Sequence, residues 1–165
     1  MTDQQTTENN SDTEYYPAWL GQSILWDEFP WEAARTCKVQ EFLEQYTLHD
    51  SSWVTIYHDI AYENQATLVI QWDAVWLPDE IARSTSVVSD WPLLLIKVQG
   101  VRQISTLGYE NIDGMPRGIS TTEVEEIEDK FVFVIHDHFG GSVEIIFDGA
   151  AHFLALNRDK MPLKI

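Results

Sequence analysis

Residues 119–156 read ISTTEVEEIEDKFVFVIHDHFGGSVEIIFDGAAHFLAL, and this stretch decides the fold. Four segments follow one another at meander spacing: Ile119 to Ile127, Phe131 to Asp137, Ser142 to Phe147 and Ala150 to Leu156. Gly140-Gly141 and Asp148-Gly149 predict two of the turns between them, and Glu128-Asp129-Lys130 the third. The first segment has a competing reading. Thr122-x-x-Glu125 spells a capping box and Val124 and Ile127 sit three apart, as in a short helix. The threonines and isoleucines around them favour a strand.

Upstream of the meander, Gly108 to Gly118 carries Asp113-Gly114 and Met115-Pro116, breaker pairs that predict a surface loop. Before that loop, Pro92-Leu-Leu-Leu-Ile-Lys-Val98 is a continuous apolar run, which predicts a central strand covered on both faces. Pro78 to Asp90 is polar and predicts irregular structure. Trp53 to Ile60 alternates Val54 and Ile56 with Thr55 and Tyr57, and Ala66 to Trp76 places Leu68, Ile70, Trp72, Ala74 and Trp76 on one face. With Glu63-Asn64-Gln65 as the turn, these two segments predict an antiparallel hairpin. A helix should precede them, since Pro30 suits a first helical position and Val39, Phe42, Leu43 and Tyr46 fall at i, i+3, i+4, i+7. The expected fold class is α+β, an N-terminal helix packed on a mostly antiparallel, meander-like sheet.

Residues 1–14 hold four acids, no base and no aliphatic residue beyond Met1, so they are expected to be a disordered, solubilising acidic tail. Residues 15–165 then form a single α+β domain, beginning with the apolar cluster Trp19, Leu20, Ile24, Leu25, Trp26, Phe29 and Trp31. About 150 foldable residues can bury roughly 70% of the surface the unfolded chain exposes. The lone Cys37 fits a reducing compartment, and Met1-Thr-Asp-Gln-Gln has neither the basic start nor the apolar run of a secretory signal. No stretch reaches the roughly 18 apolar residues of a membrane-spanning helix. A cytoplasmic location is expected.

Charge narrows the function classes. Ten Lys and Arg stand against 27 Asp and Glu, a formal charge of −17 on a chain that is 44% hydrophobic. Such a surface repels nucleic acid and anionic lipid, and it attracts basic proteins. Catalytic signatures are few. His136-Asp137-His138 followed by Glu144 is arranged like part of a cupin metal site, and strand alternation puts both histidines on one face. Glu144 stands one residue too far along, and Lys130 and Gly149 depart from the cupin glycines, so these residues predict an exposed strand end. His49-Asp50 lies where helix gives way to strand and predicts a structural junction, with Asp50 in an Asx turn and His49 closing the helix. Cys37 predicts a small buried hydrophobe. The sequence contains no Gly-x-Ser-x-Gly elbow, phosphate-binding glycine loop or Cys-x-x-Cys. No cofactor is expected.

The densest single-sign stretch is Glu123, Glu125, Glu126, Glu128 and Asp129; such charges ordinarily protect a strand edge, and the chain-wide acidic excess shifts the reading toward a surface that meets a basic partner. Acids also flank several of the seven tryptophans, and Trp91 beside Asp90 is the preferred interface anchor. The Leu48-His49-Asp50-Ser51 run, between a helix and a strand at Trp53, resembles the Leu-His-Asp-Ser or Leu-His-Asp-Ala segment of several small uncharacterised bacterial families. In size and acidity the chain is similar to immunity proteins of bacterial toxin systems. That resemblance implies neutralisation of a basic toxin by covering it, and it implies no functional residues, because such surfaces differ from pair to pair. The expected function is therefore a non-enzymatic acidic protein-binding module. The alternatives are a small metal-dependent enzyme using His136, His138 and Glu144, and a DNA-mimic inhibitor.

Overall fold

The computed structural model describes residues 16–82, 91–108 and 118–165, so the 1–14 tail, Asp90 and most of the loop expected from Gly108 to Gly118 lie outside the described residues. Helix α1 (Leu20–Trp26) leads through a single 3-10 turn to strand β1 (Arg35–Thr36) and helix α2 (Val39–Gln45). Strands β2 (Ser52–Asp59) and β3 (Gln65–Gln71) form the expected hairpin, and a short helix α3 (Asp79–Ala82) follows. Next come β4 (Leu93–Gln99), β5 (Val101–Leu107), β6 (Ile119–Ile127), β7 (Lys130–Asp137), β8 (Ser142–Phe147), β9 (Ala151–Leu156) and β10 (Pro162–Leu163). Helix and antiparallel sheet are mixed, and strands dominate.

These strands make two sheets. The first runs β1-β9-β4-β3-β2, with β10 also on β9, and the second runs β5-β8-β7-β6. Only Gly100 separates β4 from β5, and only Asp148, Gly149 and Ala150 separate β8 from β9. Since β4 pairs with β9 and β5 with β8, the four strands are one long antiparallel ribbon folded across a corner. Hydrogen bonds continue through the bend, with Gln99 N donating to Ala150 O, Gly149 N to Gln99 O and Asp148 N to Gly100 O. Asp148-Gly149 is thus a corner between sheets rather than the hairpin turn its sequence suggests, and β5 is a strand with no strong alternation to announce it.

The corner requires glycine. Gly100 sits at φ +67°, where an added Cβ would overlap Asp148 Oδ1, and a Cβ on Gly149 would lie 2.6 Å from the backbone oxygen of Gln99. Once bent, the ribbon lays the second sheet over one face of the first. Leu68, Ile70, Leu94, Ile96 and Phe153 from the first sheet share a core with Ile119, Phe133, Ile135, Ile145 and Phe147 from the second. Helix α2 closes that core through Val39 and Phe42, whose ring stacks on Phe153 at 4.0 Å. It begins at Val39 rather than Pro30, because residues 31–33 make only the 3-10 turn.

The other face of the first sheet carries Val69, Leu93, Leu95, Leu154 and Leu156. Segment 16–34 covers it, with Leu20 buried and Trp19, Ile24, Phe29 and Trp31 packed alongside. Strand β4 is consequently buried on both faces, as its unbroken apolar run predicts. Strand β3 ends at Gln71, short of Trp76. There the Asp73 carboxylate accepts the Val75 amide and starts a 3-10 turn at Ala74–Trp76.

Gly149→Ala should destabilise the fold by about 1–3 kcal/mol or more, because backbone must move to admit the methyl. By contrast Gly21→Ala, in α1 with open space around it, should be neutral or stabilise by about 0.5–1 kcal/mol, both read from urea midpoints. His152, paired in register with Lys97 and Thr36, has its pKa held below the ordinary 6.5 by burial and then by the Lys97 charge. The unfolded chain therefore takes up that proton more readily. Stability contributed by neutral His152 is lost as pH falls from about 6.5 through the lower folded pKa. His152→Gln should lose less stability than wild type between pH 7.5 and pH 5.

Candidate functional site

Helix α1 ends where Asp27 adopts a left-handed conformation (φ 52°) and its amide caps the carbonyls of Ser23 and Ile24. That cap turns the chain so that Leu20 stays buried while Leu25 and Trp26 face outward, Trp26 at 67% exposure. The Asp27 carboxylate fixes the helix end against the sheet. Its Oδ2 pairs with Lys97 Nζ at 2.6 Å and its Oδ1 accepts from Trp31 Nε1 at 2.8 Å, while Lys97 Nζ lies 4.0 Å from the centre of the Trp31 ring.

Opposite Trp26 stands the turn of the β2–β3 hairpin. Asp59 accepts the amides of Ala61, Tyr62 and Glu63 at 3.1–3.2 Å, which holds the turn in one shape. Asn64 ties it to the second sheet, donating from Nδ2 to Val101 O and accepting the Val101 amide on its own carbonyl. Ile60 (76% exposed) and Tyr62 (91%) are thus presented to solvent on a fixed support. Between helix end and hairpin lies a groove of about 540 Å³, into which Leu25, Trp26, Tyr57, Ile60 and Tyr62 converge. Its lining also includes Asp27, Asp59 and Glu63, and among the described residues it contains no lysine or arginine.

The acidic stretch picked out from the sequence is divided by the pleat of β6, an edge strand. Glu123 and Glu125 lie opposite Val134 and Val132, whereas Glu126 lies on the other face opposite Phe131 and pairs with Lys38 at 3.0 Å. Glu128 and Asp129 occupy the β6–β7 turn, Glu128 at φ 56°. All five are exposed. Trp91 is half-buried and packs against the main core, whereas Trp26, beside Asp27, is an exposed aromatic beside an acid. No single residue pattern announces the groove, but Trp26-Asp27 at a helix end and Ile60 and Tyr62 in a turn are its visible signals.

His136, His138 and Glu144 are not gathered together. His136 on β7 lies opposite Ser142, with Nε2 3.3 Å from Glu123 Oε1, and Glu144 lies opposite Val134. His138 instead turns to Asp50, its Nε2 3.0 Å from Asp50 Oδ1. The Leu48-His49-Asp50-Ser51 run has alternating fates. Leu48 and Ser51 are buried, Ser51 Oγ accepting the Asp73 amide, while His49 and Asp50 stand outward beside His138. Cys37, half-buried, has its thiol pushed up mainly by burial, partly offset by Arg35, so it stays protonated and a poor nucleophile near neutral pH.

Among the described residues no helix is long and apolar enough to cross a membrane. No protein-family model, curated protein or solved structure matches the chain.

Proposed function

We propose that the protein is a non-enzymatic, cytoplasmic binding module that takes a basic segment of a partner protein into the groove between α1 and the β2–β3 hairpin. Neutralisation of a basic toxin by occlusion is the concrete form of this activity. The observation that carries the reading is the convergence of five exposed large apolar side chains on one groove lined, among the described residues, by three carboxylates and no lysine or arginine. The frame is one α+β domain over residues 15–165, with the helical N-terminal segment laid on antiparallel sheet.

The chemistry divides between rate and lifetime. A surface of charge −17 draws a cationic segment in and speeds encounter, an effect that salt screens. Once docked, Trp26, Tyr57 and Tyr62 bury aromatic area against the partner's apolar side chains, and such anchors each contribute about 2 kcal/mol or more to holding a complex. Because Asp27 is already paired with Lys97 and Asp59 holds its turn, the groove carboxylate that the partner's cations meet among the described residues is Glu63. A fitting occupant alternates basic and apolar residues.

The test uses immobilised full-length protein and lysate of its source organism, in parallel with a Trp26→Ala/Tyr62→Ala variant. A basic protein retained in equal stoichiometry by wild type, lost from the variant and toxic when expressed alone would support the reading. Equal retention by both would overturn it. For that partner, raising NaCl from 50 to 500 mM should slow association about tenfold or more with little change in dissociation. Trp26→Ala should speed dissociation about thirtyfold, the equivalent of 2 kcal/mol.

A further inference from the structure

We propose that His49, Asp50 and His138 form a binding site for one divalent transition-metal ion, of the zinc class, where the α2–β2 junction meets the end of β7. One ligand atom from each residue lies within 4.8 Å of the other two. Asp50 Oδ1 is 3.0 Å from His138 Nε2, and Asp50 Oδ2 is 3.5 Å from His49 Nε2. Tetrahedral coordination with bonds of about 2.0–2.1 Å sets its ligand atoms roughly 3.3 Å apart, and each imidazole lies at about that separation from one of the two Asp50 oxygens, so the trio closes on a common ion by side-chain rotation.

The imidazole of His49 is already oriented as a ligand. Its Nδ1 lies 2.7 Å from the carbonyl oxygen of Ser120. A carbonyl can only accept, so Nδ1 donates and the neutral ring keeps its lone pair on Nε2, the nitrogen facing Asp50. Metal-bound histidines are commonly held this way, by a hydrogen bond from the other ring nitrogen to a backbone carbonyl.

The start of β6 holds the ligands in place. Asp50 N donates to Ile119 O at 2.9 Å, Ile119 N donates to Ser51 O at 2.7 Å, and His138 N donates to Gly118 O at 3.0 Å. Gly118 also makes room for the third ligand, because a Cβ there would lie 2.9 Å from His138 Cδ2. Residues 88 apart in sequence are therefore registered through one stretch of backbone.

Two imidazoles and one carboxylate suit zinc, cobalt or nickel better than calcium or magnesium, which take mainly oxygen ligands. One carboxylate leaves the trio a net charge of −1 before a dication arrives, on a chain of −17. All three residues are exposed, so a fourth position stays open to water or to a group from outside, with the Trp76 ring 6.1 Å from that of His49 at one side. The site shares no residue with the groove.

The full chain, freed of metal, should be titrated calorimetrically with zinc chloride alongside Asp50→Asn, His138→Ala and His136→Ala. Asparagine tolerates the left-handed conformation of Asp50 (φ 62°), so Asp50→Asn should keep the fold, and metal-free melting curves check each variant. Wild type and His136→Ala should bind one equivalent with the same affinity. Asp50→Asn and His138→Ala should bind at least about tenfold more weakly. Zinc should also raise the melting temperature of wild type, and calcium should not. Absence of zinc binding to wild type, binding indifferent to Asp50→Asn and His138→Ala, or equal loss in His136→Ala would overturn the proposal.

Discussion

Where β4 becomes β5 and β8 becomes β9, the two strands pass so close that Gln99 O occupies the space a Cβ on Gly149 would need, and Asp148 Oδ1 the space of one on Gly100. That close approach lets the ribbon turn a corner without breaking its ladder. Everything else in the molecule depends on it. Folding the ribbon superimposes the two sheets and creates their shared core, which α2 seals. It also carries the end of β7 and the start of β6 to the Leu48–Ser51 junction, where Ser52 and Gly118 form an isolated bridge between the sheets. The opposite face of the first sheet is left for segment 16–34, and the end of that segment's helix forms one wall of the groove.

The large negative charge is compatible with this fold because the core excludes nearly all of it. Asp73 and Asp137 are the buried acids among the described residues, and each serves a local backbone turn: Asp73 accepts the Val75 amide, and Asp137 accepts those of Phe139 and Gly141. Lys97 is the one buried base among the described residues, in a central strand, and it reaches out to Asp27 across the Trp31 ring. That partly buried pair costs desolvation, which its short distance and the additional Trp31 hydrogen bond offset. Its structural effect is to pin the end of α1, so that Trp26 faces the hairpin in a fixed position.

Much of the fold is legible in sequence where a local pattern is sufficient. Strand alternation gives β2 and the first part of β3, an unbroken apolar run gives the doubly covered β4, and the turn residues give β6 to β8. The legible part ends where distant residues decide. Asp148-Gly149 has the composition of a hairpin turn, and only the position of Gln99 about fifty residues earlier makes it a corner. Strand β5 owes its existence to pairing with β8, since Val101-Arg-Gln-Ile-Ser-Thr-Leu107 is too polar to predict alone. The same holds for the sites. His138 reads naturally with His136, its neighbour by strand alternation, yet its contact is Asp50. Trp26, Ile60 and Tyr62 come from separate elements, so their convergence needs the tertiary structure.

The central claim is that a basic partner is held at the groove rather than along the acidic edge of β6. Hydrogen–deuterium exchange of the full chain, alone and with a stoichiometric basic partner bound, measures this directly. The account predicts slowed exchange confined to Leu25–Glu28 and Asp59–Gln65, with Glu123–Asp129 unchanged. Protection centred on Glu123–Asp129, with the helix end and hairpin turn unaffected, would contradict it.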